Sequence, residues 1–222
     1  DVILAPLAAF AAVMGCVLLL WLVSIRLRDV SIVDVFWGPG FAVAAWVGFA
    51  IADGAPARKW LVTGLTTVWA LRLGGYLLWR KWGEGEDPRY SALIAHYGEE
   101  RRHRTALERV FLLQGAIMCF VALPVLAAQL WRTPETLGPV AYVGIALWLV
   151  GFAFETVGDW QLVRFKADPA NAGRVMDRGL WRYTRHPNYF GDCCVWWGLF
   201  LIACDNPWGL VFVLSPALMT WF

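Results

Sequence analysis

The segment DRGLWRYTRHPNYFGD, residues 177–192, sets Arg178, Arg182, Tyr183, Arg185, His186, Asn188, Tyr189 and Asp192 within 16 positions. Pro187 suits the first turn of a helix. Arg185 and His186 then fall at a helix start, where free amides and the helix dipole attract anions. Asn188 and Asp192, four apart, share one face of that helix. Arg164, Lys166 and Arg174 add positive charge just upstream. A basic belt against lipid headgroups is the competing reading, but such a belt has little use for His, Asn and Asp interleaved at helical spacing. The chemistry these residues suit is the holding of a polyanionic ligand.

A second group is defined by place. An ionisable side chain within a membrane span costs several kcal/mol unless it meets a partner or a wet cavity. Asp34 opens an apolar run in SIVDVFWGPG, Arg72 lies inside WALRLGGYLLWR, and Glu155 lies inside FAFETVGDW. Asp34 is either a helix N-cap, a role Asp fills well, or a site acid. Arg72 either pairs with one of the acids or binds an anion. Glu155 and Asp159 are four apart and share a helical face. No GxGxxG follows a strand and no GxxxxGK[ST] occurs, so a Rossmann or P-loop module is excluded. Helix ends and loops must hold any nucleotide.

The elements that carry these residues are membrane helices. The 222 residues are 59% hydrophobic and 16% charged, against about 25% charged in soluble domains. Fifteen Trp suit membrane interfaces. Apolar runs predict seven transmembrane helices near 4–23, 35–51, 60–79, 110–131, 140–158, 189–203 and 208–222, making an all-α polytopic integral membrane protein of one domain. The connections at 24–34, 80–109 and 159–188 carry fifteen Lys and Arg, and those at 52–59, 132–139 and 204–207 carry three. By the positive-inside rule the two long basic loops are cytoplasmic, as in a bacterial inner membrane. The first run lacks a basic n-region and a clear cleavage site, and reads as a retained helix. The last run stops without a polar exit, which predicts a further C-terminal tail. A net charge of +2 argues against a nucleic-acid partner. Five cysteines in apolar stretches, with no metal-ligand spacing, read as buried thiols and no metal site.

The segment WRYTRHPNYFGDCCVWWG at 181–198, with SIVDVFWGPG upstream, resembles the membrane proteins related to steroid 5-alpha-reductases. Sterol C14 reductases and isoprenylcysteine carboxyl methyltransferases share the RHPNYFG element. The resemblance runs from about residue 30 to the end. It implies seven helices and an NADPH-dependent reduction of a carbon–carbon double bond conjugated to a ketone. On this pattern Asn188 and Asp192 hold the nicotinamide half of NADPH, while Glu155 and Asp159 fall at cofactor positions, Asp159 on the adenosine side. Lys166 and Arg174 fall on arginines near the phosphates. Arg72 matches an arginine of the third span, and Pro88-Arg89-Tyr90 a short cofactor loop. Asp34 stands for a glutamate at the steroid carbonyl. The tyrosine that partners that glutamate aligns with Trp69, and Tyr76 matches a different tyrosine, so Asp34 and Tyr76 are the catalytic candidates.

The reaction needs hydride at the β carbon of an enone and a donor at the carbonyl oxygen, where negative charge develops. A protonated Asp34 in apolar surroundings suits the second task. A lipophilic, steroid-like substrate would enter from the lipids of the bilayer to a monomeric enzyme. Two rivals remain: a methyltransferase of the isoprenylcysteine type using S-adenosylmethionine, and a transporter or scaffold with buried charges. The density of Lys and Arg favours the more anionic cofactor, and no repeat supports transport.

Overall fold

The computed structural model describes residues 2–221, and among these every regular element is helical. The chain forms two compact units, Asp1–Glu135 and Thr136–Phe222.

The first unit contains α1 (Leu4–Leu27), α2 (Ile32–Ile51) and α3 (Pro56–Lys81). A short α4 (Pro88–Tyr97) comes next, then a long broken helix: α5 (Arg102–Thr105), a π turn (Ala106–Phe111), α6 (Leu112–Val121) and α7 (Leu123–Leu130). Small residues let α2 and α3 approach closely. A Cβ on Gly38 would lie 2.6 Å from the Ala70 carbonyl oxygen, and one on Gly74 would lie 2.8 Å from Pro39 Cδ. Trp69 is fully buried there, edge-on to Phe41 at 5.7 Å. At one end of the unit Gly54 N donates to Gln129 O (2.9 Å) and Ala55 N to Trp131 O (3.0 Å). Buried Arg58 donates to the Ala128 and Trp131 carbonyls, satisfying acceptors that the end of α7 leaves open. The other end joins the turn at 28–31 to the connection after α3.

The second unit contains α8 (Pro139–Ala167), α9 (Pro187–Ala203) and α10 (Leu214–Trp221). Gly144, Gly151 and Gly158 recur every seven residues on α8, and Gly191 and Gly198 do so on α9. A seven-residue step returns to nearly the same face of a helix. Backbone therefore meets backbone: a Cβ on Gly151 would lie 2.5 Å from Gly191 O, and one on Gly144 would lie 2.6 Å from Gly198 O. Gly138 N donates to both oxygens of Asp205 at 3.1 and 3.0 Å, tying the start of α8 to the turn after α9.

Five helical segments are long and apolar enough to cross a membrane: α1, α2, α3, Glu99–Leu130 and α8. The chain is an integral membrane protein. Against the seven expected spans, α9 has 17 residues, and the apolar Pro207–Trp221 is shorter still and broken between a 3-10 turn and α10. Two further differences bear on the site. α8 continues nine residues past the expected end at 158, because no helix breaker intervenes before Pro169 and Arg164 and Lys166 suit a helix C-terminus. Asp159, Arg164 and Lys166 are thus helical. Within the expected loop at 80–109, Asp87 caps α4 by accepting from Arg89 N (2.9 Å), with Pro88 in the first turn.

Candidate active site

Asp34 does not cap α2. The helix starts at Ile32 after Ser31, and the Asp34 carboxylate instead reaches α4. Tyr90 Oη donates to Asp34 Oδ1 at 2.5 Å, and Arg89 Nη2 meets Asp34 Oδ2 at 3.2 Å. Arg89 also binds Asp87 through Nε (3.0 Å) and Nη2 (2.9 Å). Gln114 Nε2 of α6 donates to Tyr90 Oη at 3.1 Å. Burial and then the bond to Asp34 push the Tyr90 phenol well above its ordinary value, and the Gln114 amide opposes them. The side-chain bond to Arg89 holds Asp87 below the usual carboxylate range. A cavity of about 340 Å³ opens beside Asp34, lined by Ser31, Asp34, Leu77, Arg80, Lys81 and Asp87 among others.

The turn carrying Asp34 is fastened to the strap after α3. Ser31 Oγ accepts from Asp87 N (3.1 Å) and from Lys81 Nζ, which also pairs with Asp29 at 2.8 Å. Glu86 accepts from Val30 N (2.9 Å), Ser91 Oγ (2.8 Å) and Arg102 Nη2 (2.6 Å). Partial burial would raise the Glu86 carboxyl, but these donors outweigh it and hold the group below its ordinary 4.5.

The tyrosine on Asp34 is therefore Tyr90, a residue that the family resemblance puts in a cofactor loop. The ring of Tyr76 lies between Arg72 (5.7 Å) and Arg80 (5.6 Å), all on α3 at four-residue spacing. Trp69 belongs to the α2–α3 core. Gln114, Asp87 and Glu86 were not foreseen. Gln114 had a signal, a lone amide in the apolar run FLLQGAIM.

In the second unit Asn188 Nδ2 donates to Asp159 Oδ1 at 3.2 Å, and Asn188 Oδ1 is buried with no hydrogen-bond partner. Glu155 and Asp159 are both buried on α8, at 4% and 6% exposure, and Asp192 lies one turn beyond Asn188 on α9. A cavity of about 870 Å³ is lined by Lys166, Arg174, Arg185 and His186, together with Trp181 and Asp177. Trp181 Nε1 donates to Gly158 O (3.0 Å), fixing that wall. Arg164 leans over Trp160 (5.0 Å), and Tyr189 lies 5.2 Å from the His186 ring. Tyr183 is 84% exposed. Among the described residues no His, Cys, Asp or Glu group could hold a metal ion.

Over residues 20–222 the chain matches the family described as proteins of unknown function, DUF1295. The chain belongs to that family. It is 22% identical to an uncharacterized protein of Schizosaccharomyces pombe over 91% of its own length and 63% of the yeast protein. A stretch of 77 residues is 36% identical to the 3-oxo-5-alpha-steroid 4-dehydrogenase 1 of Mus musculus and to that of Rattus norvegicus, covering 34% of the chain and 29% of each rodent protein. The chain thus spans less than two thirds of each of these relatives. No solved structure matches.

Proposed function

We propose that the protein is a membrane reductase that uses NADPH to saturate a carbon–carbon double bond conjugated to a ketone in a lipophilic, steroid-like molecule. The observation that carries this reading is the Tyr90–Asp34 pair, a phenol donating at 2.5 Å to a carboxylate that lines an open cavity. The local similarity to the two rodent steroid dehydrogenases supports the same class of substrate.

The residues fit a dinucleotide. Lys166, Arg174 and Arg185 suit its phosphates, and 870 Å³ lies in the range of small-molecule and cofactor sites, about 300–1,000 Å³. The unpartnered Asn188 carbonyl suits the amide N–H of a nicotinamide, while Glu155 and Asp159 suit ribose hydroxyls. Bound NADPH would supply hydride. The protein's own part is at the carbonyl: Tyr90 donates its hydroxyl proton toward the oxygen on which charge develops, a contribution of about 3–4 kcal/mol when such a donor is in place. Arg89 keeps Asp34 in position to relay a proton from water back to the Tyr90 oxygen after that step. The reading also places both long basic connections in the cytoplasm of a bacterial inner-membrane monomer, with α9 and Pro207–Trp221 making the last two crossings.

The test is purification in detergent, identification of the co-purified nucleotide, and turnover of a 3-keto-4-ene steroid. NADPH should bind at least about tenfold tighter than NADH, or about 1.4 kcal/mol. Bound S-adenosylmethionine without NADPH affinity would overturn the reading in favour of a methyltransferase.

A further inference from the structure

Tyr90 Oη has one proton and two lone pairs. Asp34 Oδ1, at 2.5 Å, takes the proton, and the Gln114 amide nitrogen, at 3.1 Å, can only donate to the remaining oxygen density. The polarity of this chain is fixed by its ends. Arg89, whose guanidinium can only donate, takes the far oxygen of Asp34 and leaves Oδ1 as the acceptor facing Tyr90. The opposite amide orientation would place Gln114 Oε1 against Tyr90 and compete with Asp34 for the same proton. Gln114 is half-buried, lies just beyond the π turn Ala106–Phe111, and sits in an otherwise apolar stretch of helix. A π turn inserts extra backbone into the helical register and re-aims the side chains beyond it, and such turns recur at functional sites.

We infer that Gln114 is a positioning residue for the Tyr90 hydroxyl: its amide N–H orients the hydroxyl proton toward Asp34 and stabilises the phenolate that forms when Tyr90 gives that proton away. The use made of the hydroxyl rests on the reductase reading; its orientation by Gln114 does not. In the step itself the substrate oxygen replaces Asp34 Oδ1 as acceptor of the Tyr90 proton: the O–H bond breaks, its electron pair stays on the phenolate oxygen, the proton bonds to the substrate oxygen, and a proton from water later restores Tyr90 by way of Asp34. The Gln114 N–H is already directed at that phenolate oxygen. Its hydrogen bond therefore strengthens during the step, the condition under which a contact raises the rate constant rather than uniform binding.

Gln114→Leu keeps the volume and removes the donor, and Gln114→Glu keeps the shape and reverses the polarity. With 3,5-difluorotyrosine incorporated in place of Tyr90, whose ring fluorines bring the hydroxyl into a measurable range, its fluorine resonance can be titrated in detergent without any substrate. Gln114→Leu should move that titration up by about one pH unit and lower kcat about tenfold with KM nearly unchanged. Gln114→Glu should move it further and cost more at neutral pH, with activity partly recovered as pH falls and the new carboxyl becomes a donor. An unmoved titration in both variants, or equal kcat losses at every pH, would overturn the assignment. A wild-type protein that reduces no enone while the titration shifts as expected removes the reductase reading alone. A wild-type protein that turns over normally with an unmoved titration removes the Gln114 assignment alone.

Discussion

A donor that acts on a developing oxyanion is felt in turnover and hardly at all in ground-state binding. Tyr90→Phe should therefore lower kcat about 10²–10³-fold while NADPH affinity, read by nucleotide fluorescence, stays within about twofold. Tyr76→Phe keeps the ring between Arg72 and Arg80, so its loss should be at least about tenfold smaller; equal losses would return Tyr76 to the role of donor. Asn188→Ala should do the reverse of Tyr90→Phe, weakening NADPH about tenfold with little change in kcat, because it removes an amide whose carbonyl has no protein partner. These residues differed in how legible they were. Asp34 stands out because a polar group in an apolar run needs a reason that sequence can register, and Asn188 because it shares a helical face with Asp192 just after the Pro187 helix start. Tyr90 is legible only as part of a cofactor loop; its partner Asp34 lies 56 positions away, and only the fold pairs them.

Helix contacts without side chains make the α8–α9 pair rigid and intolerant. Gly191→Val would drive its Cβ to 2.6 Å from Glu155 N and Gly151 O, atoms of backbone that cannot step aside. A loss of at least about 3 kcal/mol is expected, seen as a lowered thermal midpoint in detergent and weakened NADPH binding together, since Glu155 sits on the same surface. Gly64→Ala on α3, where nothing lies within 4 Å, should instead hold or raise the midpoint by removing a helix-weakening glycine. The strap after α3 answers to pH. Its Glu86 has a folded pKa below the ordinary 4.5, so its stabilisation is present above that value and fades as pH falls. Between about pH 6 and pH 4 the wild-type midpoint should drop more than that of Glu86→Gln. A parallel fall in both would release Glu86 from this role. The existence of the first five long helices was legible because each is a long apolar run. The extent of α8 was not, because its last turns are charged and read as loop until Pro169 ends them.

The membrane decides which end of the molecule meets which compartment, and the first unit offers a test of it. α3 has 26 residues, about 39 Å of helix, against a hydrocarbon core of about 30 Å. A crossing α3 would put Pro56 and Lys81 on opposite sides of the membrane. Hydrogen bonds then sort the connections. The turn at 28–31 is tied through Val30 and Ser31 to Glu86 and Asp87, and the segment at 52–55 is tied to Gln129 and Trp131. The first end carries Arg26, Arg28, Arg80, Lys81, Arg89, Arg101, Arg102, Arg104 and Arg109, and the second carries Arg58, Lys59 and Arg132. Nine cations against three is the bias that the positive-inside rule reads, and on the proposed topology it predicts a cytoplasmic first end. Reporter cysteines should avoid Arg102, whose bond to Glu86 at 2.6 Å fastens the strap. Arg101 and Arg132 have side chains 71% and 77% exposed and serve instead, in a background with the five native cysteines replaced. In sealed, oriented vesicles a membrane-impermeant maleimide should label Arg101→Cys only from the cytoplasmic face and Arg132→Cys only from the other. Labelling of both from one face would mean that α3 does not cross. Reversed labelling would leave the helices in place and put the Asp34–Tyr90 end, with its cavity, in the compartment where cytoplasmic NADPH is absent.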